Sequence, residues 1–292
     1  MRLFTVSIHY LFKAAFRGNF LYMITTALST VRTWVSIHRV ALRDNLRAFR
    51  RLLHGETAIF GVVKSNAYGH GLTVIPQLLD KFGIDGFCVD SLIEGIRLRE
   101  SGITRPILVL GFTVPDAFAL AAKHSITITI SNVDVLRRYC RSKERPEFHL
   151  KLDTGMHRQG FYVADIPKII QSMGIYKSKI QRKLVGVYTH FSAAKDINYP
   201  TYTKMQFQEY ERGVALLRRA GFKGFVRHVA ATGGTMIDKK YHCDVVRIGI
   251  GLYGLAPSRE LEVQCNSLLL RPVLSWHSIV SEVKHVRCGD YI

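Results

Sequence analysis

The first group in this sequence whose placement suggests chemistry is Lys64, which ends the apolar run Ala58–Val63. Ser65, Asn66, Gly69 and Gly71 follow at once, and a helical pattern begins near Thr73. A strand tip thus delivers an amine into a tight loop. An amine that is held rigidly, partly dried and open to a ligand is what imine chemistry with a carbonyl compound requires. Other polar groups recur at comparable places. Asp90 follows a second apolar run, Asp153 and Arg158 a later one, and His190 another. Arg158 reads as an anion clamp. The small-residue stretch RHVAATGGTM, Arg227–Met236, lets backbone amides approach an anion closely, and Thr232 adds a hydroxyl. Arg247 lies in VVRIGIGLYG, whose glycine turn offers the amides of Gly249 and Ile250 to a phosphate.

These positions need elements that gather them. Short strands are expected at Ala58–Val63, Gly86–Val89, Ile107–Leu110, Ile126–Ile130, Phe148–Leu152, Leu184–Thr189, Phe225–Val229 and Val245–Gly249. Helical spacing fills the intervals near 73–82, 91–101, 115–123, 132–141, 165–173, 202–220 and 232–238. Eight strands alternating with helices predict an α/β fold, a (β/α)8 TIM-type barrel, with its functional residues at strand C-terminal ends. Lys64, Arg158, His190, Thr232 and the turn after Arg247 meet that demand. The alternation in ITITI, Ile126–Ile130, suits a strand lining a barrel. Trp34–Ile37 reads as a further short strand. Val40, Leu42, Leu46, Phe49, Leu52 and Leu53 follow at helical spacing.

The 292 residues are enough for one large α/β domain, and 48% hydrophobic with 22% charged residues is a globular composition. The formal net charge of +19 raises nucleic-acid binding, but no such motif is present and the basic residues are spread along the chain, so a generally basic surface is expected. Cys88, Cys140, Cys243, Cys265 and Cys288 are scattered, with no C-x-x-C pair. That argues against a disulfide framework and a metal site, and for a reducing, cytoplasmic setting. Met1–Val31 contains Arg2, Lys13 and Arg17 and no acidic residue. Its longest uncharged run, Gly18–Val31, is too short to span a bilayer. A targeting segment, a misassigned start and an interfacial helix all remain open for it. Three divisions are expected: a basic leader at 1–32, the barrel at 33–257, and at 258–292 a polar connector followed by the first strands of a β-rich domain.

Four stretches carry a resemblance to a known family. AIFGVVKSNAYGHG around Lys64 resembles the V-K-x-N-A-Y-G-H-G loop of alanine racemases. KLDTGMHRQG, Lys151–Gly160, is similar to their K-x-D-T-G-M-x-R-x-G segment. T-H-F around His190 and VVRIGIGLYG around Arg247 complete the order. The resemblance implies pyridoxal 5'-phosphate as cofactor and interconversion of L- and D-alanine, with Lys64 as the base on one face of the α-carbon. It places Arg158 at the substrate carboxylate, His190 as a buttress of the cofactor ring bonded to Arg247, and Tyr68, Thr232, Gly249 and Ile250 at the phosphate. Arg247 is implied to meet the pyridine nitrogen. A cation there leaves that nitrogen unprotonated, which weakens the ring as an electron sink and suppresses transamination. In several members the lysine matching Lys151 carries a carbamate. Asn is common where this chain has Ala231.

The resemblance also implies a homodimer, with alanine as partner, neither nucleic acid nor a membrane span, and a role in D-alanine supply for peptidoglycan. Racemisation needs a second acid/base group. In the family this is a tyrosine of the partner subunit just after V-x-x-G-[DE]-x-[VI]-x-Y. Val286–Ile292 matches the lead-in to that tyrosine, so the polypeptide as given is expected to bind cofactor and racemise poorly. The alternatives are a racemase for another amino acid, a barrel-type decarboxylase, whose family has a glutamate at the ring nitrogen, and an inactive cofactor-binding fragment.

Overall fold

The computed structural model describes residues 31–291 apart from His54, Tyr199 and Ser267. The leader expectation therefore lies, but for its last residues, outside the described residues. Among the described residues the elements run β1 (Thr33–Ile37), α1 (Arg39–Leu52), β2 (Ala58–Val62), α2 (Ile75–Lys81), β3 (Gly86–Val89), α3 (Leu92–Glu100), β4 (Ile107–Phe112), α4 (Phe118–Lys123), β5 (Thr127–Ile130) and α5 (Val133–Arg141). They continue with β6 (Phe148–Asp153), β7 (Phe161–Tyr162), α6 (Ile166–Met173), α7 (Lys177–Gln181), β8 (Leu184–Tyr188), α8 (Pro200–Arg219), β9 (Val226–His228), α9 (Thr232–Ile237), β10 (Val245–Ile248), α10 (Arg259–Gln264) and β11 (Leu274–Ser278). Two compact units result, one of Val40–Pro272 and one of the residues flanking it on either side.

In the larger unit eight strands pair in parallel, in the order β10-β2-β3-β4-β5-β6-β8-β9. The ring is closed between β9 and β10 by one bridge, Ala231 to Arg247. The helices between strands make it the expected (β/α)8 barrel. Alternation sorts the side chains, because successive residues of a strand face opposite ways. Ile59, Phe87, Val109, Ile128, Ile130, Val187 and Val246 are fully buried. In β5 the isoleucines occupy one face, while Thr129 turns inward and donates to the Val109 carbonyl at 2.7 Å.

The barrel interior divides in two. On one side Val62, Cys88 and Leu108 pack with Phe60 and Leu110 as an apolar plug. Burial there pushes the Cys88 thiol up to about 12. On the other side the strands turn Thr129, His149, Lys151, Tyr188, His228 and Arg247 inward, all of them buried. Gly186 lies in register with His149, and a side chain at that glycine would collide with the imidazole.

In the second unit β1 pairs antiparallel with β11, Thr33 opposite Ser278. Trp34 stacks on His277 with ring centroids 5.1 Å apart. Two expectations need correction. The polar connector expected to begin at 258 contains a helix, α10, capped by the Ser258 side chain, which accepts from the Leu261 amide. The strands expected after it reduce to β11 among the described residues. Val280 and Val283 beyond it are 79% and 75% exposed. Apolar, β-branched residues form a strand only where a neighbour accepts their backbone hydrogen bonds, and among the described residues the only ladder of this unit is with β1.

Candidate functional site

At the C-terminal end of the barrel strands a cavity of about 570 Å³ opens. Lys64, Tyr68, Arg158, His190, Thr232, Arg247, Gly249 and Ile250, all singled out from the sequence, line it together. Lys151, Asp90, Tyr188 and Lys195 line it as well. Five cationic side chains thus face one carboxylate, an arrangement suited to a ligand with several negative charges.

Lys64 enters from a backbone that the sequence did not foretell. The expected tight loop is a left-handed helical turn. Ser65, Asn66, Ala67 and Tyr68 have φ of 53°, 55°, 53° and 53°. Each such non-glycine residue costs about 1–2 kcal/mol. The turn is held by several hydrogen bonds. The Asn66 carboxamide accepts from the Leu72 amide at 2.8 Å, and its carbonyl accepts from Gly71 at 2.9 Å. Glu94 braces the other side, accepting from the Ser65 amide at 2.7 Å and the Asp90 amide at 2.8 Å. One carboxylate therefore ties the lysine turn to the loop bearing Asp90. Lys64 Nζ lies 3.3 Å from Asp90 Oδ1, and both side chains are more than a third exposed. A pair that open to water is worth at most about 1 kcal/mol and is easily exchanged for a ligand.

Arg247 forms the floor. It is 2% exposed and meets no carboxylate among the described residues. It donates to the Thr189 carbonyl at 2.9 Å, the Val229 carbonyl at 3.1 Å, His228 Nδ1 at 2.6 Å and His190 Nδ1 at 3.3 Å. A guanidinium can only donate, so each of these imidazole Nδ1 atoms must accept. The His228 proton then resides on Nε2, which lies 2.8 Å from His149 Nδ1 and donates to it. The same logic places the His190 proton on Nε2. The arginine thereby sets the tautomers of three histidines. Burial comes first in holding them neutral and the Arg247 charge second: His149 and His190 are pushed down to about 3, and His228 well below its ordinary value. Tyr188 lies under the guanidinium, 5.1 Å from ring centre to Cζ, and its hydroxyl is 3.1 Å from Thr129.

Lys151, on β6, is 5% exposed, with its amine 3.3 Å from Gln159 Oε1. Burial, then Arg158 and Arg247, push it down to about 8. Arg158 is exposed at the rim. The preceding Asp153 is buried and gathers the amides of Gly155, Met156 and His157 on one carboxylate oxygen, which shapes the turn that carries the arginine.

At the far wall, Thr232 opens α9, and its hydroxyl oxygen accepts from the amides of Gly249 at 3.2 Å and Gly251 at 3.4 Å. The Gly249 amide, expected to face an anion directly, is engaged by this hydroxyl. The Ile250 amide heads a 3-10 turn, where helical N–H groups lack intrahelical partners. Ala231, at the N-cap of α9, has no side chain with which to cap it. A Cβ on Gly249 would come within 2.8 Å of the Tyr68 hydroxyl, so only glycine lets that hydroxyl close over the turn.

Sequence reasoning did not assign roles to Glu94, His149 or His228. The spacing Ser91-x-x-Glu94 carries a capping-box signal for the first, and the box is formed. The contact between the two histidines joins positions 79 apart and had no local signal.

The sequence model of the family described as "Alanine racemase, N-terminal domain" matches residues 37–257. The alanine racemase of Leptospira interrogans is 30% identical over 270 residues, covering 90% of this chain and 68% of that protein. Among solved structures, the alanine racemase of Clostridium difficile 630 superposes with a TM-score of 0.80 at 34% identity, covering 90% of this chain and 68% of that one. The alanine racemase of Bacillus anthracis with bound L-Ala-P superposes with a TM-score of 0.80 at 29% identity, covering 89% and 67%.

Proposed function

The chain belongs to the alanine racemase family, isomerases that interconvert L- and D-alanine, and from that premise we propose that its barrel cavity holds pyridoxal 5'-phosphate through Lys64 and receives alanine beside it. The observation that carries this reading is the gathering of Lys64 and the anion-ready groups around one cavity, above an arginine with no carboxylate partner among the described residues. The donor set fits the group. Tyr68, the Thr232 hydroxyl and the Ile250 amide would take the phosphate, at a turn where Gly249 leaves room. Arg247 would face the ring nitrogen, and His190, a neutral donor through Nε2, the ring.

When bound, the cofactor supplies an electron sink that acidifies the α-carbon of an amino acid. The chain's own residues do the rest. Arg158 binds and orients the carboxylate of alanine. Lys64 holds or moves the proton on one face of the α-carbon, and Asp90 keeps the amine positioned until the ligand arrives. Arg247 would donate a hydrogen bond to the ring nitrogen without giving up its proton, because a guanidinium stays charged, so that nitrogen would remain unprotonated. The opposite face needs a second acid/base group, which the resemblance assigns to a tyrosine of the partner subunit in a homodimer.

Lys151 is suited to the carbamate known in the family. A buried amine held down to about 8 has a substantial neutral fraction near neutral pH. Its lone pair adds to carbon dioxide, one proton leaves, and the resulting anion would sit near Arg158. The five free cysteines fit action in the cytoplasm.

The test is borohydride reduction of the protein mixed with pyridoxal phosphate, followed by peptide mapping. The adduct is expected on the peptide containing Lys64 and absent from Lys64→Ala. An adduct on Lys151 or Lys195 instead would overturn the assignment.

A further inference from the structure

The proposed function does not account for the charge at the opposite end of the barrel, where helices turn back into strands. Three neighbouring loops lie there, leading into β6, β8 and β9, which are adjacent in the sheet. The first carries Arg141 and Lys143, the second Lys179 and Arg182, the third Arg219 and Lys223, all exposed. None of the six forms an ion pair among the described residues. The loops touch one another. Arg145 lies over the Tyr176 ring at 6.0 Å, and Gln181 donates to the Ala220 carbonyl at 3.5 Å. The surface is therefore one continuous field.

Helix dipoles explain part of it, since cations are favoured in a last helical turn, where Arg141, Lys179 and Arg219 stand. They do not explain Lys143, Arg182 and Lys223, which lie beyond the helices. Nor do they explain why no acidic residue occurs from 166 to 195. Glu144 and Glu147 are the acids of the first loop, and the other two loops have none.

A second observation selects the partner. Ile175, in the turn between α6 and α7, is 88% exposed and projects from the middle loop. An aliphatic tip within a basic field matches an interface of anionic headgroups above acyl chains. Single-stranded nucleic acid would call for exposed aromatic rings to stack on bases, and a duplex offers no apolar phase for Ile175. The ring in this loop, Tyr176, is instead covered by Arg145.

We propose that this end of the barrel docks on a membrane surface containing anionic phospholipid, with the six cations against the headgroups and Ile175 entering the interface. The full chain would be sedimented with phosphatidylcholine vesicles with and without phosphatidylglycerol, at low and high salt. Binding is expected only with phosphatidylglycerol and should weaken with salt. The triple variant Lys179→Glu, Arg182→Glu, Lys223→Glu should lose about a hundredfold or more in partitioning. Ile175→Ser should lose roughly tenfold, with its salt dependence unchanged. Retained borohydride labelling of Lys64 and an unchanged thermal midpoint would show that the variants fold. Failure of the wild-type chain to bind, equal binding by the triple variant, or binding to an RNA oligonucleotide but not to vesicles would each overturn the proposal.

Discussion

Arg247 stands on β10 and Lys64 just past the end of the paired strand β2, yet they are held in opposite ways. The lysine rides on a left-handed turn with four non-glycine residues at positive φ, and its ammonium touches one half-exposed carboxylate. The arginine rides on an ordinary strand and is sealed by two backbone carbonyls and two imidazoles. Strain and exposure belong to the group that must exchange partners. Relaxed geometry and burial belong to the group that must keep its state. The difference teaches that the polar half of the barrel interior is built to hold protonation fixed, while the rim is built to let one amine move.

The comparison breaks most visibly under truncation. Arg247→Met leaves His228 and two carbonyls without their donor and should destabilise the protein by several kcal/mol, at about 1–3 kcal/mol for each orphaned buried acceptor. Lys64→Met removes only an exposed pair and should change stability by less than about 1 kcal/mol while abolishing cofactor attachment. Urea denaturation of both variants checks this, and equal losses would erase the contrast.

Acid should loosen the floor of the site. The histidines of the floor are neutral when folded and take up protons near pH 6.5 when unfolded. Their contribution is fully present above pH 6.5 and declines as pH falls toward about 3. For buried His149 the slope is about 1.4 kcal/mol per pH unit. Denaturation midpoints measured from pH 7.5 to pH 5 should fall accordingly, and His149→Phe should flatten the decline.

The smallest effect is expected at the turn. Ser65→Gly removes one exposed side chain from a left-handed position and should raise stability by less than about 1 kcal/mol, because glycine also loses more freedom on folding. A fall in stability would show that the Ser65 side chain helps hold the turn.

Much of this was legible before the structure. Each barrel strand is a short apolar run closed by turn residues, so all eight could be placed to within a few residues. Their C-terminal ends then assembled Lys64, His190, Thr232 and Arg247 at one mouth. Three features were not legible. Nothing in the composition of Ser65–Tyr68 demands left-handed backbone, since only Asn66 among them favours it; the turn is set by Glu94 and by the Asn66 bonds. The histidine chain behind Arg247 joins β6, β9 and β10 across the barrel, beyond the reach of any periodicity. Helix α10 hid in a segment whose polar composition resembles a connector.

One feature of the barrel bears on its mechanics. Its circuit is closed between β9 and β10 by a single bridge, with the Arg247 amide on the Ala230 carbonyl and the Asp244 amide on the Arg227 carbonyl, each at 3.0 Å. A ring sewn this lightly has a preferred line of opening. Thr232 and Ile250 flank that line, so an anion gripped by both acts as a clasp across it. Loading the site should then slow hydrogen exchange of the β9 and β10 amides more than that of the β4 and β5 amides on the far side of the ring.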